Sequence, residues 1–143
     1  MKLVRWLILV AVMISPSHAQ ADDQAADDPL YEACIDASDG TNFAWAACGA
    51  ERMQRAEART RAVWHAIVLA WSAPGADADM VAEMRPELEA EQAAWEAYRK
   101  RACSLYHLRS AGREAQVLAA PQCMARLIDA RTKYLEGAMR LLN

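Results

Sequence analysis

The fold class of this chain is indicated most clearly by residues 42–72, which read NFAWAACGAERMQRAEARTRAVWHAIVLAWS. Alanine, glutamate, arginine, methionine and leucine recur throughout the stretch, and all of them favour helix. Thr41 or Asn42 is a suitable N-terminal cap, and the Ala-Pro-Gly of residues 73–75 ends the segment. The segment therefore predicts a long helix. Its expected inward residues, at three- and four-residue spacing, are Cys48, Val63, Trp64, Ile67, Val68 and Trp71.

The same composition continues downstream, where Gly and Pro occur only in short clusters. A second helix is expected from about Ala78 to Arg109 and a third from about Arg113 to Leu142, with a bend or break at Pro86 and at Pro121. No segment alternates as a strand would, so we expect an all-α fold, a small bundle of three long helices. The expected inward residues are Met84, Leu88, Trp95, Tyr98, Cys103 and Tyr106 in the second helix, and Leu127, Ile128, Leu135, Met139 and Leu142 in the third.

Residues 1–19 have the three parts of a cleavable export signal. Lys2 and Arg5 precede an apolar run over residues 6–14, and Ser17-His18-Ala19 supplies a small-x-small cleavage site. The run is shorter than the roughly 20 apolar residues that a membrane-spanning helix needs. We therefore expect a protein that does not span a membrane and is periplasmic or secreted after cleavage near Ala19.

The remaining residues predict a short leader and one domain. Residues 20–33 begin with an acidic, alanine-rich stretch and are expected to form a flexible acidic leader, while residues 34–143 are long enough for a single helical domain. Removal of the signal takes away two bases and no acid, so the formal net charge changes from −3 to −5. This balance argues against nucleic acid as a partner and favours a protein with a basic surface.

Four cysteines follow the signal, a number that predicts two disulfides in an oxidising compartment. Three pairings are possible, and turn chemistry favours one of them. The midpoint of Cys34 and Cys48 falls beside Asp39-Gly40, and that of Cys103 and Cys123 beside Gly112, so both local pairs span a chain reversal. A metal site would need clustered ligands, and Cys103 with His107 is the nearest approach; we expect neither metal nor cofactor.

A motif in the second helix resembles that of a known family. Gln92, Trp95, Tyr98, Arg99 and Cys103, followed after a turn by Cys123 and Arg131, are similar to the LprI-like lysozyme inhibitor family, long catalogued as a domain of unknown function. Upstream, Cys34, Cys48 and Glu51 occupy the family's other positions, so the resemblance covers about residues 34–142. It implies an exported, helical, disulfide-linked domain, with members associated with inhibition of lysozyme.

The motif residues have a simpler structural interpretation. Trp95 and Tyr98 are most simply aromatic core residues at helical spacing. Arg99 and Arg131 are placed to point toward the disulfide-linked interior, where a guanidinium needs a carboxylate partner. We expect one of these arginines to pair with Glu51 or Glu57 of the first helix.

Two functional classes remain once catalysis is set aside. The chain has no Gly-x-Ser-x-Gly elbow and no spaced acid–base pair, so we expect no enzyme. The first class is an inhibitor of lysozyme or a related peptidoglycan hydrolase, which would occlude the cleft with a donor-rich loop formed by Arg109, Ser110, Gly112 and Arg113. The second is a cell-envelope binding or scaffold module without inhibitory activity, in which that loop is a plain turn.

Overall fold

Residues 28–142 are described by the computed structural model, and four helices account for most of them. The helices are α1 (Pro29–Asp36), α2 (Asn42–Trp71), α3 (Ala78–Ala102) and α4 (Ala120–Met139). This part of the chain contains no strand, so the all-α prediction is confirmed. The prediction of three helices is wrong, because α1 forms a fourth.

α1 begins inside the stretch predicted to be a flexible leader, of which residues 20–27 lie outside the described part. Asp28 caps the helix by accepting a hydrogen bond from the Tyr31 amide at 3.1 Å, and Pro29 supplies a preset φ at the first helical position. Tyr31 is only 2% exposed, so α1 buries an aromatic side chain. The cap and this buried ring give a short helix the stability that its composition does not suggest.

An ion pair also holds α1 to α2. Arg55 Nη2 lies 3.1 Å and 3.2 Å from the two carboxylate oxygens of Asp28. Burial raises the pKa of Asp28, but the Arg55 hydrogen bond, the Tyr31 amide and the charges of Arg55 and Arg52 outweigh it, so the pKa lies below 3.8. The stability that this carboxylate contributes is present above its ordinary pKa and is lost as pH falls through the lowered value.

The core lies mainly between α2 and α4, which pack along their length. Ile67 and Trp71 of α2, Leu135 of α4 and Leu88 of α3 form its central cluster. The inward residues predicted for the third helix, Leu127, Ile128, Leu135, Met139 and Leu142, are all buried or half-buried. Val68 and Tyr106, also predicted to face inward, are exposed, because each lies at the edge of its apolar stripe or in the connecting turns.

α3 is shorter than predicted and α4 begins with an irregular turn. Asp77 caps α3 by accepting from the amides of Asp79 and Met80, and the helix continues through Pro86. It ends at Ala102, beyond which the chain forms two 3₁₀ turns, Ser104–His107 and Arg109–Ala111. A helical turn (Gly112–Glu114) and a π-helical turn (Ala115–Ala119) lead into α4. The π turn ends two residues before Pro121, which lacks an amide donor.

Both predicted disulfides are present. Cys34–Cys48 links α1 to α2 with a Cα–Cα distance of 5.7 Å, and Cys103–Cys123 links the end of α3 to the start of α4 at 6.0 Å. Each closes a local loop, across the reversals that turn chemistry predicted. Among the helices of residues 28–142, none has the length and apolar character that a bilayer crossing requires.

Candidate functional site

The predicted motif residues of α3 face the other two long helices along one stripe. Gln92, Trp95 and Arg99 follow Leu88 at spacings of four, three and four residues, which keeps them on one side of the helix. Arg99 Nη2 donates to Glu57 Oε1 of α2 at 2.6 Å, and both side chains are about 30% exposed. The prediction that a motif arginine pairs with a glutamate of the first long helix is thus confirmed for Arg99 and Glu57.

Arg131 uses other partners. Its side chain is 6% exposed, and its Nε donates to Gln92 Oε1 at 3.1 Å, while Nη1 lies 3.8 Å from the carboxylate of Glu91. Its guanidinium carbon lies 4.8 Å from the Tyr134 ring centroid. Arg131 therefore binds α4 to α3 and makes no contact with the glutamates of α2 that were predicted for it.

Trp95 lies where these interactions meet. The guanidinium of Arg99 is 5.5 Å from its ring centroid and that of Arg131 is 5.9 Å away, distances at which a cation is attracted to an aromatic face. α3 makes few close backbone contacts with the rest of the bundle, so these long side chains provide much of its attachment. Gln92, Trp95, Arg99 and Arg131 thus contact one another or side chains of the neighbouring helices.

Two motif residues do not join this network. Tyr98 is 60% exposed, contrary to the prediction of a core aromatic residue, because the stripe through Trp95 and Arg99 leaves it about 90° away on the helix. Glu51 is also exposed, and its partner is Arg55 of the same helix at 3.9 Å. Its neighbour Arg52 occupies the buried position instead.

A groove of about 370 Å³ lies between α2 and α3 beside this network. Trp64, Trp95 and Glu96 are among its lining residues. Several of the polar groups that line it bond to one another: Gln92 donates to Glu96 at 3.2 Å, and Glu57 accepts from Arg99. A ligand there would have to replace bonds that the protein already makes.

The predicted binding loop differs from this groove, because its side chains do not pack in the core. Arg109, Ser110, Gly112 and Arg113 are all exposed, and Gly112 adopts a φ of +85°, which other residues rarely adopt. The contacts of Arg113 are weak, since its Nη1 lies 3.4 Å from Gln116 Oε1. The loop begins at Cys103, which is 2% exposed and joined to Cys123. The loop is thus fixed at its base by a buried disulfide, and its far end faces solvent.

The sequence prediction gave two apolar residues of this loop no role in binding. Leu105 is 71% exposed and Leu108 51% exposed. Residues 97–113 contain five Lys and Arg residues and no Asp or Glu, so these leucines lie in a segment whose charged residues are all basic. We call residues 104–113 the basic tip. An acid-free run with leucines outside any helical stripe is the sequence signal that could have identified it.

Within residues 28–142, no three His, Cys, Asp or Glu side chains gather as a metal ion would require. Cys103, considered above with His107 as a ligand pair, is held in a disulfide.

Comparison with protein families matches residues 34–135 to the model described as lysozyme inhibitor LprI. Comparison with curated proteins and with solved structures gave no match. The family match agrees with the resemblance carried by the cysteines and the α3 motif.

Proposed function

We propose that this chain, which belongs to the LprI lysozyme inhibitor family, inhibits a lysozyme or related peptidoglycan hydrolase by occluding its cleft with the basic tip. The family is one of inhibitors and implies a protein partner. The observation that supports the cleft mechanism is the exposed tip itself, which projects cations and leucines from a disulfide-linked base.

The chemistry of the tip is complementary to that of a glycan-cleaving site. Such enzymes work with two carboxylates in a cleft lined by sugar-binding groups. Arg109 and Arg113 would offer guanidinium groups to those carboxylates, and charge-assisted hydrogen bonds of this kind are among the stronger polar contacts. Leu105 and Leu108 would bury apolar surface against the cleft walls. The Cys103–Cys123 bridge limits the entropy that ordering the tip would cost.

The proposal includes export, since the enzymes concerned act on the cell wall. Residues 1–19 would direct the chain to the periplasm or the medium and would be removed near Ala19. N-terminal sequencing of the exported protein tests this point. A mature chain that still begins at Met1 would contradict it.

A lysozyme turnover assay with the purified, oxidised protein tests the inhibitor function. We expect Arg109→Ala with Arg113→Ala to raise the inhibition constant about 100-fold or more, since two charged hydrogen bonds are lost at about 1.5–3 kcal/mol each. Thermal stability should stay unchanged, because both side chains are exposed.

Arg61→Ala with Arg140→Ala is the matched control, because it removes two exposed arginines elsewhere on the surface. It should leave inhibition unchanged. Unslowed turnover at a large molar excess of the unmodified protein would favour the alternative function, an envelope binding or scaffold module. Unfolding of the Arg109 and Arg113 variant would instead assign those residues a structural role.

A further inference from the structure

Most of α3, from its start to Glu96, has a charge opposite to that of the basic tip. Residues 77–96 contain seven Asp and Glu residues and one arginine. Glu83, Glu87 and Glu91 are spaced four residues apart, which places them along one side of the helix. Glu83 and Glu87 have no ion pair or hydrogen bond to any residue of the described chain, whereas Glu91 accepts from the Tyr134 hydroxyl at 2.7 Å. The carboxylates of Glu83 and Glu87 therefore have no cationic or hydrogen-bonding partner within the described part of the chain.

These carboxylates border an apolar groove of about 470 Å³ between α3 and the end of α4. Leu88, Met84 and Ala138 are buried or half-buried in it. Leu141 is 67% exposed and Tyr134 49% exposed at its edge. We call this feature the acidic groove. An apolar groove with exposed apolar side chains at its edge and a charged border is typical of a protein contact surface.

The charges restrict what can occupy the acidic groove. The chain's own leader is a poor occupant, because residues 20–27 carry Asp22, Asp23 and Asp27 and no base, so like charges would meet. A complementary occupant carries Lys or Arg side chains to meet Glu83 and Glu87, and an apolar side chain to cover Leu141.

The groove and the basic tip are close enough to contact one partner. Glu87 lies on α3, and Cys103 directly follows the last residue of this helix. The two are 16 residues apart, which corresponds to about 24 Å at a rise of 1.5 Å per residue. An interface of standard size buries about 800 Å² on each partner, a patch roughly 30 Å across. A single partner can therefore reach both the acidic groove and the base of the basic tip.

We propose that the acidic groove is a second docking site on this inhibitor. It binds a surface patch on the hydrolase, outside the cleft that the basic tip fills, and this patch carries basic side chains and an apolar one. This inference rests on the proposed function. In this arrangement the acidic groove presents carboxylates to the partner's basic surface and the basic tip presents cations to its catalytic carboxylates, so the charges also orient the encounter.

Binding kinetics with a purified basic lysozyme test the acidic groove. Glu83→Gln with Glu87→Gln should lower the association rate constant about 3- to 10-fold at low salt, and the difference should disappear near 0.5 M salt, where charges are screened. Leu141→Ser should raise the dissociation rate constant about 5- to 10-fold, because an exposed leucine contributes only by burial in the complex.

Matched controls make the same chemical changes elsewhere. Glu32→Gln with Asp36→Asn removes two exposed acids of α1, and Leu69→Ser removes an exposed leucine of α2 that is 58% exposed. Both controls should change the rate constants less than twofold. Groove variants that behave like these controls, while Arg109→Ala with Arg113→Ala weakens binding, would overturn the acidic groove and leave the proposed function standing. An unmodified protein that does not bind the lysozyme would overturn both.

Discussion

Arg99 shows at the scale of one residue how a motif side chain is engaged within the fold. It bonds to Glu57 at 2.6 Å and lies over Trp95, so a single guanidinium joins α3 to α2 and packs against an aromatic ring. Lysine has one point charge and no planar fork, so it cannot make both contacts equally well.

We predict that Arg99→Ala lowers the free energy of unfolding by about 1–2 kcal/mol, since it leaves a partly buried carboxylate without its closest partner. Arg99→Lys should have an intermediate effect. Urea denaturation followed by tryptophan fluorescence measures both. Arg61→Ala, which removes a 70% exposed arginine 3.6 Å from the same glutamate, is the control and should change stability by less than about 0.5 kcal/mol. Equal losses for Arg61→Ala and Arg99→Ala would contradict this assignment.

Single-residue predictions succeeded where a charge requirement left few choices. A guanidinium facing the interior needs an acceptor, and Glu57 was one of two acids available on the predicted facing helix. The Arg131 contact to Gln92 was missed, because a neutral amide is not the expected partner of an arginine. The inward placement of Tyr98 was wrong, since the phase of the buried stripe depends on where α2 lies and the spacing alone does not fix it.

At the scale of helices, Gly49 sets how closely α2 approaches the start of α4. A Cβ atom at this position would lie 2.7 Å and 2.8 Å from the Cβ and Cγ atoms of Pro121. The pyrrolidine ring is rigid, so the two helices would have to separate to admit even one methyl group.

We predict that Gly49→Ala destabilises the domain by about 1–3 kcal/mol, in spite of the higher helix propensity of alanine. Gly137→Ala on α4 is the matched control, because its added Cβ would meet only the end of the Arg140 side chain, at 3.6 Å. The control should be neutral or stabilising by up to about 1 kcal/mol. Thermal unfolding followed by circular dichroism distinguishes the two, and a stabilised Gly49→Ala variant would show that the contact is not tight.

Helix boundaries were predictable where caps and stops are encoded locally. α2 matches its predicted limits to within one residue, because Thr41 and the Pro-Gly stop flank it. α1 was missed although Asp28-Pro29 is itself a start signal, since the acidic composition around it favours disorder. α3 ends seven residues early because the chain turns at Cys103, a tertiary constraint that periodicity does not report.

At the scale of the whole molecule, stability depends on the two disulfides. Their sequence separations are 14 and 20 residues, and closing loops of this size is worth about 3 kcal/mol each in the chain-entropy model. The net free energy of unfolding of a small domain is about 5–15 kcal/mol, so each disulfide contributes a large share of it.

We predict that Cys103→Ala with Cys123→Ala lowers the free energy of unfolding by about 3 kcal/mol and weakens lysozyme inhibition by the folded protein, because the basic tip loses its fixed base. Cys34→Ala with Cys48→Ala is the control, with a similar loss of stability but unchanged inhibition by folded protein. Denaturation and turnover assays on both variants make the comparison. Equal inhibition by the two variants would argue against the tip as the binding element.

The order of the disulfides along the chain also bears on how the protein matures. First pairs with second and third with fourth, so no bridge encloses or crosses another. If the polypeptide enters an oxidising compartment N-terminus first, both cysteines of the first disulfide are available to pair before the second pair of cysteines emerges. Simple vectorial oxidation would then yield the native connectivity, with no need for an isomerase to reshuffle wrong bonds.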